Sequence, residues 1–190
     1  MLSEALIKSG RKSLTTREPG GTTGAEAIRE LLVNGDAAKW NPPTELLLHL
    51  AARSDHIYKL IMPKLKSGND VICDRFTDST IAYQAYGHEL GQAFVGPLCN
   101  MVMGDFQPNL TIILDIEVEK GIARAGSRGA TENRYETMGE SFHKRVREGF
   151  LAIAKENPQR CVVISAENDI DSIHSQIINA VDKRLGMKLS

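Results

Sequence analysis

The stretch NLTIILDIE, residues 109–117, decides the fold: Ile112, Ile113 and Leu114 run without a polar break and are closed by Asp115. Unbroken rather than alternating apolarity marks a strand covered on both faces, which is the habit of a parallel sheet in an α/β fold. Two more runs follow the same rule, DVICDR at 70–75 and RCVVIS at 160–165, and RKSLTTRE at 11–18 is a weaker fourth. Helical patterns fill the intervals at 2–9, 23–33, 42–67, 78–103 with a break near Gly87 to Gly96, 117–125, 136–156 and 169–185. The expectation is a parallel sheet flanked by helices, in one domain over 1–190 with no linker, repeat or low-complexity tract.

Helix starts are chemically marked. Thr23 followed by Glu26 reads as a capping box, and Asn41 before Pro42 as an N-cap and first helical residue. In the helix from Pro42, Leu46, Leu50, Ile57 and Leu60 form one apolar stripe, and Arg53 falls on it. A guanidinium there must snorkel, pair with an acid or face a ligand cavity. His49 and His56 lie about one turn to either side.

Lys plus Arg (23) nearly balance Asp plus Glu (24), so no global field recruits nucleic acid or a membrane, and an anion site must be built locally. Cys73, Cys99 and Cys161 show no Cys-x-x-Cys pairing, which suits a reducing cytoplasm. No stretch has the length and apolarity of a bilayer span, so a soluble cytoplasmic protein is expected.

Ligands of open α/β sheets gather at the carboxyl ends of the strands. Two expected strands end there in charge, one in Arg17–Glu18 and one in Asp74–Arg75. With Arg53 they offer three arginines whose planar forks suit a phosphate monoester, and Asp74 could hold Mg²⁺ beside it. Taken singly, each has a plain alternative: a strand-end ion pair, a paired helix charge, an ordinary Pro-Gly-Gly turn. A second cluster, ARAGSRGATENRYE at 123–136, interleaves Arg124, Arg128 and Arg134 with glycines, as a lid closing over a polyphosphate would, or a solvated basic loop. Tyr83 and Gln84 could face a base or sugar or pack in a helix. His88, His143 and His174 have no ligand or triad spacing and read as surface residues.

TREPGGT (16–22), LAAR (50–53), DRF with AYQ (74–76, 82–84), FQPNLTIILD (106–115) and SRG with ENRYE (127–136) occur in an order that resembles bacterial thymidylate kinases along the whole chain. The resemblance implies a P-loop NTPase-like nucleoside monophosphate kinase fold, phosphoryl transfer from ATP with Mg²⁺ to dTMP giving dTDP, and a homodimer. It implies that Arg17 and Arg75 grip the dTMP phosphate, that Arg53 reaches the thymine carbonyl, and that Asp74 is the acid by the acceptor phosphate and metal. Pro19, Thr80 and Gln84 would border the thymine and Tyr83 the deoxyribose. Arg124, Arg128 and Arg134 fall in the family's lid, 124–136, the last two with a catalytic role. A non-catalytic dTMP-binding relative and a kinase for another monophosphate are the alternatives.

Two departures carry expectations of their own. His49 stands where the family commonly stacks a phenylalanine on thymine, and its titration should weaken dTMP binding below the imidazole pKa. No G-x-x-x-x-G-K-[ST] occurs in the 190 residues. The expectation is that the first, central strand and its P-loop lie outside this sequence, translation starting about twenty residues upstream. Activity of the chain alone would then be impaired, and two neighbouring strands would be left without a partner.

Overall fold

The computed structural model describes residues 1–126 and 134–189. In chain order the elements are α1 (Leu2–Lys8), β1 (Lys12–Arg17), α2 (Thr23–Val33), α3 (Pro42–His56), α4 (Met62–Lys66), β2 (Asn69–Asp74), α5 (Thr77–Thr80), α6 (Gln92–Met103), β3 (Thr111–Asp115), α7 (Val118–Gly126), α8 (Glu140–Glu156), β4 (Cys161–Ser165) and α9 (Ile170–Leu185). All four strands arise where the apolar runs place them, and their pairing is parallel. β1 pairs β2 from Lys12↔Asn69 to Arg17↔Asp74, and β3 pairs β4 from Thr111↔Cys161 to Asp115↔Ser165.

The strands form two separate two-stranded sheets. Among the described residues each of the four strands therefore keeps one edge without a strand partner. Complete cover of both faces, expected from the sequence, is not reached either: β2 is only partly buried, and Leu114 and Val163 are exposed. Side chains help to join the two sheets. Arg160, just before β4, places Nη1 and Nη2 at 2.6 and 2.7 Å from the carboxylate of Asp78 in α5, and the Thr111 hydroxyl donates to the same group at 2.9 Å.

Helix caps explain most boundaries. Asn41 accepts from the Thr44 N–H at 2.9 Å, as the Asn-Pro pair predicts. For α2 the cap is Thr22, not Thr23: its hydroxyl accepts from Ala25 N–H, and Glu26 reaches back to the Gly21 N–H instead of closing a capping box. Two segments wind as π-helix, Ile57–Ile61 after α3 and Ile81–Gly87 after α5. The wider turn shifts the inward stripe by a residue, so Ile61 is buried where the 3.6-residue period predicts Leu60.

The core has three parts. Phe142, Val146 and Ile153 of α8 pack on Ala82, Ile113 and Cys161; Leu46 and Leu50 of α3 pack on Ala85, Val95 and Cys99; Ile57, Ile61, Phe76 and Met103 close the third. Gly149 makes the α8 contact possible, since a Cβ there would lie 2.8 Å from the Tyr86 ring. All three cysteines are free, and no helix among the described residues is long and apolar enough to cross a membrane.

Candidate active site

The parallel register sets the site. Arg17 and Asp74 are ladder partners at the carboxyl ends of β1 and β2, and the Glu18 N–H extends the ladder by donating to the Asp74 carbonyl at 2.9 Å. Beyond β2, Arg75 takes φ 65°, a left-handed conformation that costs a non-glycine residue on the order of 1 kcal/mol, and its guanidinium lies 5.0 Å over the Tyr83 ring. Beyond β1 the chain passes a cis Glu18–Pro19 bond, then Gly20 and Gly21 at φ 137° and 90°. The turn is pinned from α2: Glu26 accepts from the Gly21 N–H at 2.9 Å and from Arg17 Nη2 at 3.3 Å, and Arg29 donates to the Pro19 carbonyl at 2.8 Å. The Gly21 N–H, and then Arg17, hold the Glu26 carboxyl below its usual range.

Helix α3 faces this turn with Glu45, His49 and Arg53, spaced by four, and then His56. Arg53 is 2 % exposed. Its Nε lies 2.7 Å from Glu18 Oε2, its guanidinium stands 5.1 Å over Phe76, and its Nη1 is buried with no hydrogen-bond partner. Of the three fates open to Arg53 in the sequence, the pair with an acid is realised, and the Nη1 amino group remains to spare.

Two helical turns away along α3, a second polar cluster is sealed around Glu45. It accepts from Gln84 Nε2 at 2.8 Å, meets His88 Nε2 at 3.0 Å and is ion-paired to Arg134 at 2.6 Å. Burial raises the Glu45 pKa, but His88, Gln84 and Arg134 outweigh it and bring the carboxyl to about 2. His88 is thus no surface residue. Arg134 itself is fully buried, donating to the carbonyls of Leu32, Asp36 and Ala37. Expected to reach out from a lid, it is instead the anchor that ties the chain after residue 133 to the end of α2 and to α3.

His49 lies between the clusters with Nε2 2.7 Å from the Tyr135 hydroxyl. Burial, with Arg53, Arg75 and Arg134 nearby, lowers its pKa to about 3 despite the opposing Glu45. The expected titration near neutral pH is therefore replaced by a ring that stays neutral, because desolvation and three cations penalise the charged form. Tyr83 packs edge-on to Tyr135, Phe142 and Phe150, and Gln84 and Thr80 are almost wholly buried. Arg124 donates to the Ala166 carbonyl at 2.8 Å. Arg128 lies outside the described residues.

The partners of three groups that organise the site escape a reading of the sequence. Glu18, Glu45 and His56 act through partners far along the chain, and only Glu18, charged yet next to Pro-Gly-Gly, carries a local hint. Glu18, His56 and Cys73 bring a carboxylate, an imidazole and a thiol within 4.8 Å, but Arg53 already neutralises the carboxylate and burial raises the Cys73 thiol out of its reactive range, so the trio is not suited to a metal.

A thymidylate kinase family model matches residues 1–177. The chain belongs to the thymidylate kinase family. It is 48% identical over 186 residues to a thymidylate kinase of Caulobacter vibrioides, covering 98% of this chain and 89% of the relative. It is 41% identical over 191 residues to one of Afipia carboxidovorans, covering 100% and 84%. The crystal structure of thymidylate kinase from Ehrlichia chaffeensis superposes with a TM-score of 0.73 at 36% identity, covering 95% of this chain and 85% of that one. Fold class and family are therefore those expected, an α/β thymidylate kinase fold.

Proposed function

We propose that this thymidylate kinase family member binds dTMP at the ends of β1 and β2 and presents its phosphate to Mg·ATP, giving dTDP. The observation that carries this reading is the buried, unpartnered Nη1 of Arg53, which is paired through Nε to Glu18 at the strand ends that also carry the exposed Arg17 and Arg75. A sealed N–H without an acceptor costs about 1–3 kcal/mol, which a thymine carbonyl would relieve. Arg17 and Arg75 then grip the phosphate, while Pro19, His49, Thr80, Tyr83 and Gln84 shape the base and sugar side. Exposed Asp74 is a fitting donor for Mg²⁺, which takes one or two carboxylates and completes its shell with water and phosphate oxygens. The metal would offset charge on the phosphates. In the 124–136 segment, the lid of this reading, Arg134 serves as the anchor and Arg124 and Arg128 do the reaching.

For ATP itself the fit is incomplete. The 190 residues hold no Walker A motif, and among the described residues each strand carries one unpaired edge. We therefore read the chain alone as competent to bind dTMP and impaired in transfer, since phosphoryl transfer depends on positioning and electrostatic support of the donor phosphates. A second copy of the chain is the proposed partner. Leu47 and Tyr58 on one stripe from α3, and Phe94 and Met101 on α6 packed against it, are exposed apolar groups that a homodimer would cover.

The test is phosphate transfer from Mg·ATP by the folded 190-residue chain, run with dTMP, dUMP and dGMP and accompanied by direct binding of each. Binding of dTMP with little transfer is expected. Rapid transfer would refute the reading of the donor site, and a preference for dGMP would make this a kinase for another monophosphate.

A further inference from the structure

Arg53 is not held by Glu18 alone. The second oxygen of the Glu18 carboxylate lies 3.0 Å from His56 Nδ1, and His56 Nε2 lies 2.8 Å from the Thr16 hydroxyl. His56 is fully buried and Glu18 is 5% exposed, so water has no access to replace either bond. A carboxylate can only accept, so Nδ1 carries the proton; in the neutral ring Nε2 then accepts, and the Thr16 hydroxyl must donate. The chain of bonds runs from β1 through α3 back to β1 and again to α3. Its last member, the Arg53 guanidinium, is fixed in plane by Glu18 on one edge and by the Phe76 ring beneath it.

Gly21 belongs to the same arrangement. A Cβ at this position would lie 2.5 Å from His56 Nε2 and 2.7 Å from the Thr16 hydroxyl. The second glycine of the turn thus leaves room for the His56–Thr16 bond as well as supplying its positive φ. None of these groups besides Arg53 is needed to touch a nucleotide.

We propose that Thr16, His56 and Glu18 form a buried positioning relay that sets the tautomer of His56, orients the Glu18 carboxylate and thereby aims the spare Nη1–H of Arg53 at the nucleobase of the acceptor. The inference rests on the dTMP-binding reading. His56 is a positioning residue: it acts on the base through two others and leaves the phosphate to Arg17 and Arg75.

Two variants of His56 separate positioning from bulk. Asn places an amide N–H near the location of Nδ1 and can still donate to Glu18, whereas Gln places its amide near Nε2 and leaves the carboxylate oxygen unpaired. Binding of dTMP is compared with binding of 2-deoxyribose 5-phosphate, which has the phosphate but no base. For H56Q, dTMP affinity falls about tenfold while 2-deoxyribose 5-phosphate stays within about twofold, and H56N recovers dTMP binding to within about threefold of the unsubstituted chain. Equal losses for both ligands, or equal behaviour of the two variants, would overturn the relay. Imidazole ¹⁵N NMR of the unsubstituted chain tests it without any variant: the Nδ1–H tautomer of His56 is required, and an Nε2–H tautomer would overturn it. If the unsubstituted chain binds 2-deoxyribose 5-phosphate as tightly as dTMP, the dTMP reading fails rather than the relay.

Discussion

At the scale of single residues, the site combines exposed charges at the strand ends, Arg17, Asp74 and Arg75, with the buried charges Glu18, Glu45, Arg53 and Arg134, which are paired with one another. His49 shows the consequence. Burial first, and then Arg53, Arg75 and Arg134 against the opposing Glu45, lower its pKa to about 3, so the ring is expected to stay neutral between pH 5.5 and 8. We predict that the contribution of His49 to dTMP affinity is flat over that range, measured as the difference between the unsubstituted chain and H49F at each pH. A difference that grows by tenfold or more toward pH 5.5 would show a protonating ring. Reading the sequence, a histidine in a stacking position suggests a switch, because exposure is the default assumption. The three arginines that help suppress the switch come from three different segments, α3 itself, the turn after β2 and the chain after residue 133, and no local pattern announces them.

At the scale of elements, the strand ends do the positioning. The register of β1 against β2 brings Arg17, Glu18, Asp74 and Arg75 to one end of the sheet, and this placement was legible: unbroken apolar runs define the strands, and the charge that closes each run marks its carboxyl end. What was not legible is the winding of the helices. The π-turns at Ile57–Ile61 and Ile81–Gly87 keep helical spacing locally and change phase only by a residue, so a 3.6-residue period passes through them without a break. The burial of Arg134 is hidden from the sequence for a related reason. Its glycine-rich surroundings read as a mobile basic loop, while the acid and carbonyls that bury it sit in α3 and at the end of α2. The turn after β1 permits a sharper test. G21A should destabilise the chain by about 1–3 kcal/mol, because a methyl meets His56 and Thr16 inside a close-packed corner and at positive φ. Chemical denaturation of both proteins checks this, and an unchanged midpoint would mean that the turn relaxes freely.

At the scale of the whole molecule, two parallel strand pairs are joined by helices and side-chain bridges, and the Glu45 cluster links α2, α3, the Ile81–Gly87 segment and the chain after residue 133. The folded-state pKa of Glu45 lies at about 2, below its ordinary 4.5, so the cluster stabilises the fold fully above pH 4.5 and loses that contribution as pH falls toward 2. The difference corresponds to roughly 3 kcal/mol. E45Q should flatten the acid side of the stability profile between pH 4.5 and 2.5 in thermal unfolding, even though it lowers stability at pH 7. An acid limb as steep as that of the unsubstituted chain would place the proton uptake elsewhere.

The central claim is that the ends of β1 and β2, with α3 across from them, form a thymine nucleotide acceptor site. Its most direct test is calorimetric titration of the folded chain with dTMP, with dGMP as competitor and R53M as the control. The account predicts saturable dTMP binding that dGMP displaces poorly and that R53M weakens by at least about tenfold, the expected loss of a hydrogen bond from a buried charged donor. Absent dTMP binding, or binding that R53M leaves intact, would contradict it.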